Sequence, residues 1–155
     1  MATNQYEILL EEIGAILGVS LYPDQHNTCL VKLENGLEVQ FEMDRTGEYL
    51  LLGIDLGIVP PGQYREELFK EALRANGQAA PPRAGVLAFS RDTESLVLHE
   101  YLHAHNLNGE QVVFTLGLLA EKGLTWHNAV KSGEVPLVET AAGGGPGLGM
   151  FGMRP

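Results

Sequence analysis

Two hydrophobic periods meet in residues 48–76, EYLLLGIDLGIVPPGQYREELFKEALRAN. Leu50, Leu52, Ile54, Leu56 and Ile58 recur at every second position, the pattern of a strand with one buried face. The opposite face carries Tyr49, Leu51, Gly53, Asp55 and Gly57, so it has little bulk and leaves backbone open to close approach. Val59-Pro60-Pro61-Gly62 then turns the chain. Pro61 can sit near the first helical position, and Tyr64, Leu68, Phe69, Ala72 and Leu73 follow as a helical stripe. Glu66 and Glu67 early in that helix and Lys70 and Arg74 late in it agree with the helix macrodipole, and Gly77 after Asn76 fits a left-handed cap.

The same two periods organise the rest. Asn4 with Glu7 resembles a capping box ahead of Tyr6, Leu9, Leu10, Ile13, Ile16 and Leu17, which predicts a first helix ending at Gly18. Thr28 to Leu33 alternates weakly and leads through Glu34-Asn35-Gly36 into Leu37, Val39, Phe41 and Met43, which point one way while Glu38, Gln40 and Glu42 point the other. Asn-Gly between two such runs predicts a hairpin, since both residues tolerate positive φ. Residues 78–84, with Pro81-Pro82, read as a loop. Gly85 to Ser90 and Ser95 to Leu102 predict a second hairpin. Asn108 with Gln111 starts a last helix running to about Val130, with Gly117 and Gly123 weakening its middle. The predicted order is helix, three strands, helix, two strands, helix, an α+β domain with an antiparallel twisted sheet over residues 1–133. Residues 134–155, rich in Gly and Pro, read as a disordered tail in which Met150, Phe151 and Met153 are the candidates for a docking motif.

Charge and cysteine content narrow the function. Twenty acidic residues against ten basic ones give a net charge of −10 over 155 residues, which disfavours nucleic acid and anionic membranes as partners. Residues 1–60 hold ten of those carboxylates and only Lys32 and Arg45 against them, so the acidic surface belongs mainly to the first half. Cys29 is the only cysteine, which rules out an internal disulfide and fits a reducing compartment. Neither a signal peptide nor an apolar run of bilayer length is present in the sequence.

One motif carries chemistry. His99-Glu100-Tyr101-Leu102-His103 matches HExxH, which on a helix sets two imidazoles on one Zn²⁺ and a glutamate on its water, with Glu121 or His127 as a third ligand. The context favours a strand, because Leu96, Leu98 and Leu102 share a face at period two and the preceding run needs an antiparallel partner. On a strand the two imidazoles stand about 13 Å apart, beyond reach of one ion. His103 and His105 remain candidates for an adventitious metal only. The expectation is no catalytic residue, no metal and no cofactor.

NQYEILLEEIG, NTCLVKLENGLEVQFEM, YLLLGIDLGIVP, REELFKEALRANG and GVLAFSRDTESLVLHEYL before LNGEQ, in that order from Asn4 to about Val130, resemble the class I type III secretion chaperones, the Tir chaperone family, and above all its chlamydial members. The resemblance implies a dimer in the bacterial cytoplasm that binds the N-terminal region of a secreted effector or regulator without ATP and keeps it competent for secretion. It implies a subunit contact through Tyr64, Leu68, Phe69 and Leu73 of the second helix and Val86, Leu87 and Phe89 of the fourth strand, in a homodimer or a heterodimer with a related chaperone. With the excess of apolar positions on helix one and strands two and three, it places the client on Ile8, Leu10, Val39, Phe41 and Leu51. A zinc peptidase and an unrelated acidic interaction module are the alternatives.

Overall fold

The computed structural model describes residues 4–78 and 85–137. The Pro81-Pro82 loop and the Gly-rich stretch 138–155 lie outside the described residues. The elements are α1 (Gln5–Leu17), β1 (Thr28–Lys32), β2 (Glu38–Met43), β3 (Tyr49–Ile58), α2 (Gln63–Gln78), β4 (Val86–Ser90), β5 (Ser95–His103) and α3 (Gly109–Ser132), the predicted order. The strands form one antiparallel sheet in the order β1-β2-β3-β5-β4. β1 and β4 are therefore its edges.

The core lies on one face of that sheet. Leu9, Leu10 and Ile13 of α1, Leu68 and Ala72 of α2, and Leu116, Leu119 and Trp126 of α3 pack with the inward side chains of the strands. Burying each large apolar side chain contributes about 1.5–3 kcal/mol, so the α/β face is where stability resides. The opposite face has no helix over it among the described residues.

Local chemistry explains the helix ends. Asn4 accepts from the Glu7 N–H at 2.8 Å. Asn108 and Gln111 form a reciprocal capping box at the start of α3. Glu12, a residue of α1, adds a third cap to α3: its Oε2 accepts from the Gly109 N–H at 2.7 Å. This contact requires glycine at 109, since a Cβ there would lie 2.6 Å from the Glu12 Cβ. Gly123 does not interrupt α3. It is buried, and the close approach it permits brings the helix onto Leu37 and Ile54, whose nearest atoms would stand 3.2 and 3.3 Å from a Cβ at that position.

Two expectations are refined, at the β1–β2 turn and the start of α2, and two are corrected, at Ile58 and the end of α2. The β1–β2 turn is a three-residue loop: Leu33 N–H donates to Leu37 O and Gly36 N–H to Leu33 O, so only Gly36, not Asn35, takes positive φ. Ile58 leaves the inward face, because a bulge between Asp55 and Gly57 shifts the register and puts Val59 in the core while Ile58 stays 66% exposed. α2 begins at Gln63, after Pro61, with the Gly62 carbonyl accepting from the Glu66 N–H. It also continues through Gly77 to Gln78, and Gly77 does not take the positive φ of a left-handed cap.

Candidate functional site

The two sheet edges are built differently. In an antiparallel ladder, alternate residues of an edge strand turn both N–H and C=O outward. On β4 those residues are Gly85, Leu87 and Phe89. Asn76 of α2 takes both groups of Leu87, its Nδ2 donating to Leu87 O and its Oδ1 accepting from Leu87 N–H, each at 2.8 Å. Lys122 Nζ of α3 donates to Gly85 O at 3.2 Å. Burial lowers the Lys122 pKa and nearby Glu100 opposes that shift. Phe89 alone keeps both groups open on this edge among the described residues.

On β1 the outward residues are Thr28, Leu30 and Lys32. Asp24 closes the first, donating its N–H to Thr28 O at 2.8 Å and accepting the Thr28 and His26 N–H groups on Oδ1 at 3.0 and 2.7 Å. The Thr28 bond, then the His26 bond, holds the Asp24 carboxyl below its ordinary value. Leu30 and Lys32 keep both backbone groups unpartnered among the described residues. Their edge is also apolar: Leu30 is 63% and Tyr22 77% exposed, and the two line one depression with Thr28 and Cys29. Burial pushes the Cys29 thiol up, as suits an inert core cysteine.

The uncovered face continues from that edge. Cross-strand register aligns Leu30, Gln40, Gly53, His99 and Val86 in one row across all five strands. Gly53 at its centre has no side chain, and a Cβ there would meet nothing within 4 Å. Leu51 and Tyr101 flank the row on one side, Asp55 and Val97 on the other, and together they enclose a groove of about 700 Å³. His99 lies on its floor, its Nδ1 without a hydrogen-bond partner. Tyr49, Tyr101 and His103 continue the surface as a ring cluster, with Tyr49 and His103 centroids 4.7 Å apart and Tyr49 and Tyr101 6.4 Å apart.

The HExxH residues are thus strand residues. His99 pairs with Gly53 and His103 with Tyr49 along β5, and four strand steps separate the imidazoles by about 13 Å.

Of the residues expected to meet a client, the structure keeps Ile8 (47% exposed) and Leu51 (part-buried) at the surface. It corrects the other three: Leu10, Val39 and Phe41 are fully buried, because their faces of α1 and β2 meet each other, with Tyr6 OH donating to Phe41 O between them. Of the expected subunit contact, Leu73 (70%) and Val86 (45%) are exposed, while Leu68 and Leu87 are core residues. Phe69 and Phe89 stack on one another, centroids 5.0 Å apart, with the Arg65 guanidinium 4.6 Å over the Phe89 ring. Tyr64 OH donates to Ala129 O and Glu134 O, tying α2 to the end of α3. The pattern reading missed Leu30, Val97 and Tyr101. Its signal was the weak alternation of β1, where an apolar residue sits on the solvent side.

The fold matches chains in several solved structures. One is the structure of the Yersinia pestis type III secretion chaperone SycH in complex with a stable fragment of YscM2, at 22% identity over 78% of this chain and 98% of that one, with a TM-score of 0.62. A second is the HopA1-SchA chaperone-effector complex, at 20% identity over 81% and 94%, TM-score 0.64. A third is the heterodimeric ExoU-SpcU complex from the type III secretion system of Pseudomonas aeruginosa, at 18% identity over 77% and 96%, TM-score 0.62. No curated protein sequence matches the chain. The model of the Tir chaperone protein (CesT) family matches residues 8–116, which span the first helix, the whole sheet and the start of α3, and so the chain belongs to the Tir chaperone family.

Proposed function

We propose that this protein is a type III secretion chaperone that holds an extended, apolar segment of a secreted effector or regulator against the β1 edge and the open sheet face. The observation that carries the reading is the open pair of backbone groups at Leu30 and Lys32 beside the exposed Leu30 and Tyr22 side chains. An extended peptide gains main-chain hydrogen bonds from such an edge and places alternate side chains on the adjoining face. Family membership supports it, and so do the similar structures, two of which are described as a chaperone bound to a fragment and a chaperone-effector complex. Ile8 on α1 and Leu51 in the groove remain part of the proposed surface. Leu10, Val39 and Phe41 serve it by fixing the strands beneath.

The protein acts by binding, in the bacterial cytoplasm and without catalysis. It works as a dimer, homomeric or with a related chaperone, through Leu73, Val86, Phe69, Phe89 and Tyr64. The β4 edge is closed at Leu87, so this contact is made by side chains and not by continuing the sheet. Co-expression with the N-terminal segments of secreted proteins, followed by pull-down, tests the reading. A stable complex that Leu30→Asp or Leu51→Asp abolishes, at an unchanged melting temperature, is expected. Retention of the client by both variants excludes this surface.

A further inference from the structure

The groove over Gly53 lies within reach of a segment of the chain itself. His127 lines one end of it, and α3 ends at Ser132, five residues later. At 1.5 Å per residue, the chain leaves the helix roughly 8 Å from the groove's end. Residues 138–155 lie beyond the described chain. They read VETAAGGGPGLGMFGMRP, a Gly-rich spacer followed by Leu148, Met150, Phe151 and Met153. From Leu137 to Met150 the contour allows up to about 45 Å, and a Gly-rich spacer of that length averages about 20 Å end to end. Five strands are about 20 Å across, so both lengths suffice.

The chemistry also matches. Leu30, Leu51, Val97 and Tyr101 supply apolar wall between polar ends, and the floor is bare at Gly53, a shape that unbranched Met side chains fill readily. Its fully charged lining residues are Glu38 and Asp55, both carboxylates. The apolar tip ends in Arg154, the only cation after Lys131. Opposite charge at the rim fixes the register in which an apolar segment settles.

We propose that residues 148–154 dock in this groove on their own domain, as a stand-in for the client that covers the apolar face until a client displaces them. Displacement by a client rests on the function proposed above, whereas the docking can be measured with no client present. A Gly-rich tether of that length supplies an effective concentration of the order of millimolar. A tip with a dissociation constant near 0.1 mM would then occupy the groove about nine-tenths of the time, and weaken a competitor about tenfold.

The test uses the full chain with a nitroxide on Gly149→Cys, Cys29 being buried. Broadening of the Gly53, Val97 and His99 amide signals is expected when the isotope-labelled, spin-labelled protein is diluted into unlabelled protein. Gly53→Leu, whose Cβ meets nothing within 4 Å, should fill the floor and remove it, as should Met150→Asp with Phe151→Asp. A synthetic peptide of residues 146–155 should bind the Met150→Asp/Phe151→Asp chain about tenfold more tightly than the wild type. Broadening seen only when the nitroxide sits on a second copy overturns docking in cis. Broadening elsewhere, none at all, equal peptide affinities or no peptide binding overturns the proposal outright. The client reading fails separately: broadening would stand while a client binds the wild type and the double variant equally.

Discussion

The β1 and β4 edges face the same physical problem and resolve it in opposite ways. An edge strand presents unpaired backbone groups that attract other chains. On β4 the side chains of Asn76 and Lys122 occupy both outward groups of Leu87 and the Gly85 carbonyl. On β1 Asp24 closes Thr28 alone, leaving Leu30 and Lys32 open beside exposed apolar side chains. A closed edge suits the subunit contact proposed for β4 and α2, which would then form by packing without runaway sheet growth. An open edge is useful only if a strand is meant to add there.

The largest expected effect comes from removing the β1 donor. Leu30→Pro keeps the β1–β2 ladder, because the Leu30 N–H points away from β2 and proline is tolerated at such positions. It removes one intermolecular hydrogen bond and an apolar contact, together about 3 kcal/mol, so client affinity should fall roughly a hundredfold in a titration while the melting temperature drops by a few degrees at most. Unchanged affinity would erase the distinction between the edges.

Opening the other edge is the converse. Asn76→Ala leaves the Leu87 groups unpaired against a strand that is otherwise buried, at a cost of about 1–3 kcal/mol. A fall in melting temperature of about 3–8 °C should come with concentration-dependent self-association by light scattering. Loss of stability alone would mean that Asn76 holds α2 in place without guarding the edge.

These devices show where sequence reading stops. Periodicity located every element, since the buried faces of α1, β2, β3, β5 and α3 are nearly unbroken apolar series. Asn76 was read as the prelude to a Gly77 cap because local rules see only neighbours, and its partner Leu87 is eleven residues away. Glu12 carries no local signal of its role for the same reason, its partner Gly109 lying on another helix. Val39 and Phe41 were assigned to a client because an apolar stripe in a sequence does not say whether it faces a helix or solvent. The informative positions were those where a pattern failed: Leu30 on the polar side of β1, and Gly53, bare, in the middle of β3.

A smaller effect concerns the boundary of the open edge. Asp24 is held below its ordinary value of 3.8 by the Thr28 and His26 N–H groups. A carboxylate whose folded pKa is depressed adds stability that is complete above the unfolded value and is lost as pH falls through the folded one. The melting temperature should therefore decline as pH falls below about 4, less steeply in Asp24→Asn. Equal slopes would mean that the turn does not hold β1.

The smallest effect belongs to the HExxH residues. His99→Ala with His103→Ala should shift the stability by no more than about 1 kcal/mol, since His99 Nδ1 has no partner to lose and His103 is exposed. One equivalent of tightly bound zinc, lost in the double variant together with peptide hydrolysis, would contradict the strand geometry.

Hydrogen exchange on the two edges, with and without a bound client segment, tests the central claim most directly. The account predicts that the Leu87 amide is protected in the free protein and unchanged by the client, while the Leu30 and Lys32 amides exchange fast when free and become protected on binding. Protection that appears at Phe89 while Leu30 and Lys32 stay unprotected would contradict it.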